Sequence, residues 1–249
     1  MATPSTYSLP FGAFVSKSLG IYLRNLLPFA ALSALVLAPW IVLRILLRQD
    51  VPTPGGEAIS SILQTVLSMV LTGALTYGVV QQMHAKSAGI GALVTAGMQS
   101  LGRVFVTSLV AGLIIGIGTL MLVVPGIIAT VLLYVAIPVA VMEHKSVGDA
   151  MRRSSDLTRG SRWAIFGAAL LMGLVSIGVV LLCTFVFATT STASVAGIEY
   201  EAESLPLWME IAIPLLLQPM NATLSSVCYV MLRQGKENVD VQQIAAVFD

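Results

Sequence analysis

Residues 104–142 read VFVTSLVAGLIIGIGTLMLVVPGIIATVLLYVAIPVAVM, flanked by Arg103 and Glu143. The stretch splits into two apolar segments, at about 103–124 and 126–143, joined by little more than Pro125-Gly126, a tight-turn pair. A helix needs about 20 residues to cross a hydrocarbon core of about 30 Å. The first segment has that length and the second sits at the short limit, so together they read as two crossings joined at one membrane face.

The same pattern extends in both directions. Further apolar segments lie at about 27–48, 59–83, 162–189 and 207–232. The chain of 249 residues is 57% hydrophobic and 10% charged, against about 25% charged in a globular domain. Its mean hydropathy is +0.91. The predicted fold class is all-α, a polytopic bundle of six transmembrane helices forming one integral membrane domain over residues 1–249. Short loops and a tail account for the rest, with no room for a separate soluble domain. The first apolar run is too long for a signal-peptide core and is followed by Arg44 and Arg48, so it reads as a retained helix.

Charge gives the orientation. Lys17, Arg24, Lys86, Arg103, Lys145, Arg152, Arg153, Arg159, Arg162, Arg233 and Lys236 fall in alternate connections, 11 of the 13 basic residues. The positive-inside rule puts those connections and both termini in the cytoplasm. Arg44 and Arg48 lie outside, close enough to a helix end to snorkel. The outer connection between the fifth and sixth segments holds Glu199, Glu201 and Glu203 without a basic residue. The basic residues are thus sorted by side of the membrane, and no nucleic-acid partner is expected. The predicted location is a bacterial inner membrane.

Three amphipathic stretches precede pairs of crossings, at about 9–25, 90–101 and 147–159. In the first, Phe11, Phe14, Val15, Leu19 and Tyr22 recur at helical spacing. Adding 79 to each number gives Ile90, Leu93, Val94, Met98 and Leu101. A further offset of 57 gives Val147, Ala150 and Met151, after which the apolar face shifts to Ser154 and Leu157. This predicts a pseudo-threefold repeat, each unit an interfacial helix followed by two crossings. Such helices bury one face at the headgroup boundary and keep a basic face wet. Ser146 with Asp149 forms a capping-box-like start for the third, and Gly160 follows where a left-handed residue is wanted. Trp163 then falls at the membrane interface.

From Pro125 to Trp163 the order Pro125-Gly126-Ile127, Tyr134, Pro138, Glu143, Ala150, Arg153-Ser154, Leu157, Gly160, Trp163 resembles a bacterial six-helix membrane family. That family includes the membrane domain attached to some glycerophosphodiester phosphodiesterases. Near the C-terminus, Tyr229-Val230-Met231-Leu232-Arg233 resembles its closing signature, although Gln234-Gly235-Lys236-Glu237 lacks a second arginine. The resemblance implies a membrane bundle. Phosphodiesterase activity in the fused proteins belongs to a separate soluble barrel, which these residues do not supply.

Candidate chemistry is sparse. The histidines are His84 and His144, and Glu143-His144 is the one acid–histidine neighbour pair, though adjacent helical residues do not face each other. The simplest role for Glu143 is an ion pair with Arg152, Arg153 or Arg162. Cys183 and Cys228 sit in apolar segments and read as buried small hydrophobes. No catalytic, metal or cofactor site is expected. Arg152, Arg153, Arg159 and Arg162 form a basic cluster able to contact anionic lipid headgroups, since a guanidinium can donate two hydrogen bonds to one phosphate. The competing reading is that they only orient the bundle, and Asp149 and Asp156 dilute their charge.

Two crossings carry polar stripes: Ser61, Gln64, Ser68, Thr72 and Thr76 in the second, and Gln218, Asn221, Ser225 and Tyr229 in the sixth. These read either as interhelical hydrogen bonds or as a polar path for a solute, with Gln64, Ser68, Thr72, Gln218, Asn221 and Ser225 as its lining. No charge lies at mid-membrane in either stripe, which disfavours ion-coupled transport. Ser108, Gly112 and Gly116 form a small-residue ladder expected to pack within the bundle. The leading expectation is a non-enzymatic membrane protein of structural, regulatory or lipid-associated role, with membrane lipids as partners. The alternative is a small-solute or lipid transporter or channel using the path between the second and sixth crossings.

Overall fold

A computed structural model describes residues 8–47, 54–83, 89–187, 189–195, 198–204 and 206–237. Its elements are α1 (Phe11–Arg24), α2 (Leu26–Leu47), α3 (Pro54–Met83), α4 (Ile90–Met121), α5 (Val123–Leu132), α6 (Ala136–Met142), α7 (Val147–Thr158), α8 (Arg162–Phe187), β1 (Thr189–Val195), β2 (Ile198–Ser204) and α9 (Leu207–Glu237). Among the described residues six spans are long and apolar enough to cross a membrane: Leu26–Leu46, Gly55–Met83, Ile90–Met121, Val123–Met142, Arg162–Phe187 and Leu207–Glu237. The body is the predicted all-α bundle. The connection between α8 and α9 adds a two-stranded antiparallel ribbon, with Thr189 opposite Ser204 and Val195 opposite Ile198.

The bundle is apolar outside as well as inside. Leu120 is 88% exposed and Phe185 90%, and α8 turns Leu174, Ile177 and Leu181 outward in the same way. Such a surface needs hydrocarbon around it, because in water it would be a very large apolar patch. Trp163 and Phe187 lie near opposite ends of α8, about 36 Å apart at 1.5 Å per residue. Trp208 stacks edge-on against Phe187, with ring centroids 5.4 Å apart. An indole thus marks each end of the span, as expected of interfacial aromatics.

The repeat survives in which positions face the bundle. In α1 the inward residues are Phe14, Ser18 and Tyr22. The same two offsets lead to Leu93, Gly97 and Leu101, of which Gly97 is buried and the leucines pack partly buried against the core. They then lead to Ala150, Ser154 and Thr158, all fully buried. The middle position is small each time, which lets each helix lie close to its neighbours.

The three units differ in other respects. The stretch 90–101 is not a separate interfacial helix. It runs into the third crossing as the first turns of α4, a helix of 32 residues, because Leu101-Gly102-Arg103 contains nothing that stops a helix. α1 is set off from α2 by Asn25 alone, whose side-chain amide caps Ile21 O at 2.7 Å. α7 is bounded as predicted: Asp149 N donates to Ser146 Oγ at 3.3 Å, and Gly160 takes φ 87°.

The fourth crossing is broken. Pro138 has no amide hydrogen for the Tyr134 carbonyl, so α5 stops at Leu132 and α6 starts at Ala136 after a tighter turn, in which Ala136 N donates to Leu133 O at 3.0 Å. The Leu132 carbonyl, bypassed by that turn, accepts from Ser154 Oγ of α7 at 2.7 Å. A polar residue on the inner face of α7 is therefore explained by the proline in its neighbour.

Close helix approach occurs at positions other than the predicted ladder. A Cβ on Gly112 or Gly116 would meet nothing within 4 Å, so these glycines face outward. A Cβ on Gly97 would lie 2.5 Å from the Val70 carbonyl oxygen, and one on Gly73 would lie 2.2 Å from Ser100 Oγ. The tight contact is thus α3 against α4 at Gly73, Gly97 and Ser100.

Candidate functional site

The end of the bundle that carries α1, α7 and the last turn of α9 holds most of the charge and is its basic end. Its centre is Glu143, just past α6. Tyr229 donates its hydroxyl to Glu143 Oε1 at 3.1 Å. Lys145 Nζ lies 2.9 Å from Oε2, and Arg153 Nε donates to Oε1 at 3.4 Å. Arg233 donates to the Tyr229 hydroxyl at 2.9 Å and to Glu237 at 3.2 Å, while Arg153 also pairs with Glu237. Burial works to raise the Glu143 carboxyl, but the Lys145 hydrogen bond, the charges of Arg153 and Lys145 and the Tyr229 hydrogen bond hold it below the ordinary carboxylate value. For Arg153, burial works downward and is outweighed by Glu237 and Glu143, which keep the guanidinium firmly charged. Glu143, Arg153, Tyr229 and Arg233, which lie far apart in the chain, thus form one lock joining α6, α7 and α9.

This lock divides the predicted arginine cluster. Arg153 points into it and is committed to carboxylates, so it is removed from the lipid-contact set. Arg152, Arg159 and Arg162 are exposed. Lys236 covers the end of α7, donating to the backbone carbonyls of Asp156 at 2.8 Å and Arg159 at 2.5 Å. Arg162 has a further feature. With Trp163 and Phe166 of α8 and Val124, Ile127, Ile128 and Val131 of α5 it lines a groove of about 450 Å³. Trp163 is 86% exposed and meets Phe166 edge-on. The groove is apolar along its length, with a cation and an indole at one end. The spacing of Val124, Ile127, Ile128 and Val131 on a helix already contained that apolar stripe, but nothing in it indicated that α8 would lie alongside.

The polar stripes do meet, at one place. Gln218 Nε2 donates to Ser68 Oγ at 2.8 Å, and Gln218 Oε1 is buried with no partner. Thr72 Oγ1 donates to its own helix at Ser68 O, 2.8 Å. Asn221 is exposed and donates to Leu217 O at 3.0 Å, and Ser225 donates to Ala222 O at 3.1 Å. Of the six residues, only Ser68 and Gln218 bond across the helices. Gln64 instead lines a cavity of about 450 Å³ that opens at the end opposite the basic one, together with Ser60, Ser61, Arg44, Glu57 and Glu210. Arg44 does not merely snorkel. It donates to both oxygens of Glu57 at 2.8 Å and to Glu210 at 2.5 Å, tying α2, α3 and α9 together. Sequence reading missed this triad, whose one signal was a charged residue near the end of each of three apolar segments.

The Glu143-His144 pair separates in the structure. His144 takes φ 50° and turns to Arg103, away from the Glu143 lock. His84 lies outside the described residues, as do Arg48 and Lys86. Among the described residues no group of three or more His, Cys, Asp or Glu gathers as a metal ion would need.

A family model described as a domain of unknown function, DUF7847, matches residues 60–232. That span runs from the first turns of α3 to Leu232 in α9 and includes the Glu143 lock up to Leu232, the α5–α8 groove and the Ser68–Gln218 bridge. Comparison with curated proteins and with solved structures finds no match. The chain belongs to the DUF7847 family.

Proposed function

We propose that this chain is a non-enzymatic, lipid-associated protein of a bacterial inner membrane, with its basic end and both termini in the cytoplasm. It seats an anionic phospholipid in the groove between α5 and α8. The observation that carries this reading is the groove itself: an apolar channel along Val124, Ile127, Ile128 and Val131, ending at the Arg162 guanidinium and the Trp163 indole. An acyl chain fits the apolar part, and a phosphate meets the arginine at the depth where an indole prefers to sit. The likeness of Pro125–Trp163 to the membrane domains of certain phosphodiesterases belongs to the same proposal, because most of the groove comes from that stretch.

The test is native mass spectrometry of the full chain released from nanodiscs containing phosphatidylglycerol. The expected result is a retained anionic lipid on the wild type and on Arg152→Ala, whose side chain is exposed on α7, and its loss from Arg162→Ala combined with Trp163→Ala. Equal retention by all three sinks the proposal.

The solute-path alternative has one observation in its favour, the cavity reaching Gln64 from the opposite end. Against it stands the Gln218–Ser68 hydrogen bond, which closes the way between α3 and α9 one turn deeper. Cysteine labelling at Ser68 by a water-soluble reagent would revive it, and protection would retire it.

A further inference from the structure

A third cavity, of about 350 Å³, lies at the basic end between α3, the first turns of α4 and the chain after α6. Thr95, Gln99 and Arg103 line it at successive turns of α4, with Tyr77 from α3 and His144 opposite. Among the described residues no carboxylate lines it. Glu143 is adjacent in sequence to His144 but is turned to Tyr229, Lys145 and Arg153.

Arg103 is unlike the arginines of the lock and of the Arg44 triad. Arg44, Arg153 and Arg233 each pair with carboxylates. Among the described residues Arg103 has no carboxylate partner, and its Nε is buried with no hydrogen-bond partner. A buried, unpaired guanidinium N–H is costly, so a charged donor left this way needs an acceptor. Its contact with the His144 imidazole is made by another guanidinium nitrogen and leaves Nε unsatisfied. One turn deeper on α4, Thr107 Oγ1 is buried without a partner, as is Thr76 Oγ1 on α3 beside Tyr77. Of these atoms, Arg103 Nε belongs to a residue that lines the cavity.

His144 reaches the cavity by a left-handed backbone, φ 50°, which non-glycine residues seldom adopt. Burial, then the charge of Arg103, hold its imidazole below the ordinary histidine value. A nearby anion would act in the opposite direction.

We propose that this cavity is a binding site for a phosphate-type oxyanion, held by the Arg103 guanidinium and the His144 ring with the Tyr77 hydroxyl and Gln99 amide completing its shell. The site is separate from the α5–α8 groove and does not depend on it. The phosphate group comes either from a soluble anion or from a lipid headgroup entering at the basic end, since the recognising chemistry is the same.

Two arms separate these sources. In the first, the full chain in phosphatidylcholine nanodiscs is titrated with inorganic phosphate by calorimetry. In the second, nanodiscs containing phosphatidic acid are used and retained lipid is counted by native mass spectrometry. Arg103→Gln is the main variant. Gln99→Leu removes the amide from the cavity and leaves the Arg103 charge in place, and Arg162→Gln disables only the groove. Saturable phosphate binding that weakens about tenfold or more in Arg103→Gln and Gln99→Leu, but not in Arg162→Gln, supports a soluble anion. Phosphatidic acid retention with the same dependence supports a headgroup. Binding in neither arm, or binding indifferent to both Arg103→Gln and Gln99→Leu, overturns the proposal.

Discussion

Replacing Gly97 by alanine tests the packing that holds the bundle together. The new Cβ would lie 2.5 Å from the Val70 carbonyl oxygen, 3.0 Å from Ala74 Cβ and 3.2 Å from Ala74 N. Two of these are backbone atoms, so no side chain can swing aside and α3 and α4 must separate. Overpacking of this kind costs about 1–3 kcal/mol. Gly112→Ala is the matched control, because it is in the same helix and its Cβ would meet nothing within 4 Å. Both changes gain about 0.5–1 kcal/mol of helix propensity, and that gain cancels in the comparison. Gly97→Ala should therefore be about 1–3 kcal/mol less stable than Gly112→Ala, with Gly112→Ala at or above wild type. Unfolding in mixed micelles with increasing sodium dodecyl sulfate, followed by circular dichroism, measures the difference. Equal stability of the two variants would mean that α3 and α4 do not meet at Gly97.

Ser154→Ala removes the donor to the bypassed Leu132 carbonyl and should cost about 1–3 kcal/mol by the same assay, the penalty of an unpaired buried acceptor. The Glu143 carboxyl is held below its ordinary value in the fold. Its contribution is therefore complete above the ordinary carboxylate range and is lost as pH falls through the lowered value. Glu143→Gln should lower stability at neutral pH and flatten the acid limb of the stability curve, which a pH series of the same unfolding measurement reads. Gln218→Leu loses the bond to Ser68 but also an Oε1 buried without a partner, so the two effects offset and stability should change by less than about 1 kcal/mol. A larger loss would mean that the amide is wetted in the membrane.

How much of this was legible in the sequence follows from how local each signal is. The six crossings were readable because apolarity over about 20 residues is a property of one segment. Ser146, Asp149 and Gly160 were readable because capping is settled within one turn. The interruption of the fourth crossing was available in Pro138, which cannot donate to Tyr134 wherever it sits in a helix. The continuity of α4 was missed because an amphipathic pattern at 90–101 says which face is polar and is silent on whether the helix ends. The small-residue ladder was misplaced for a different reason. On a helix that is apolar all round, hydropathy does not choose the face that meets other helices, and Gly112 and Gly116 turned out to face outward. The Arg44 triad joins residues up to 166 positions apart. The Arg103–His144 contact depends on a single left-handed residue that no periodicity announces.

The lipid proposal rests on one groove, and an electron cryomicroscopy structure in nanodiscs rich in phosphatidylglycerol tests it most directly. A headgroup is expected against Arg162 beside the Trp163 indole, with an acyl chain lying along Val131, Ile128, Ile127 and Val124. A groove closed by α5 packing directly onto α8, or filled by lipid with no headgroup at Arg162, would contradict it.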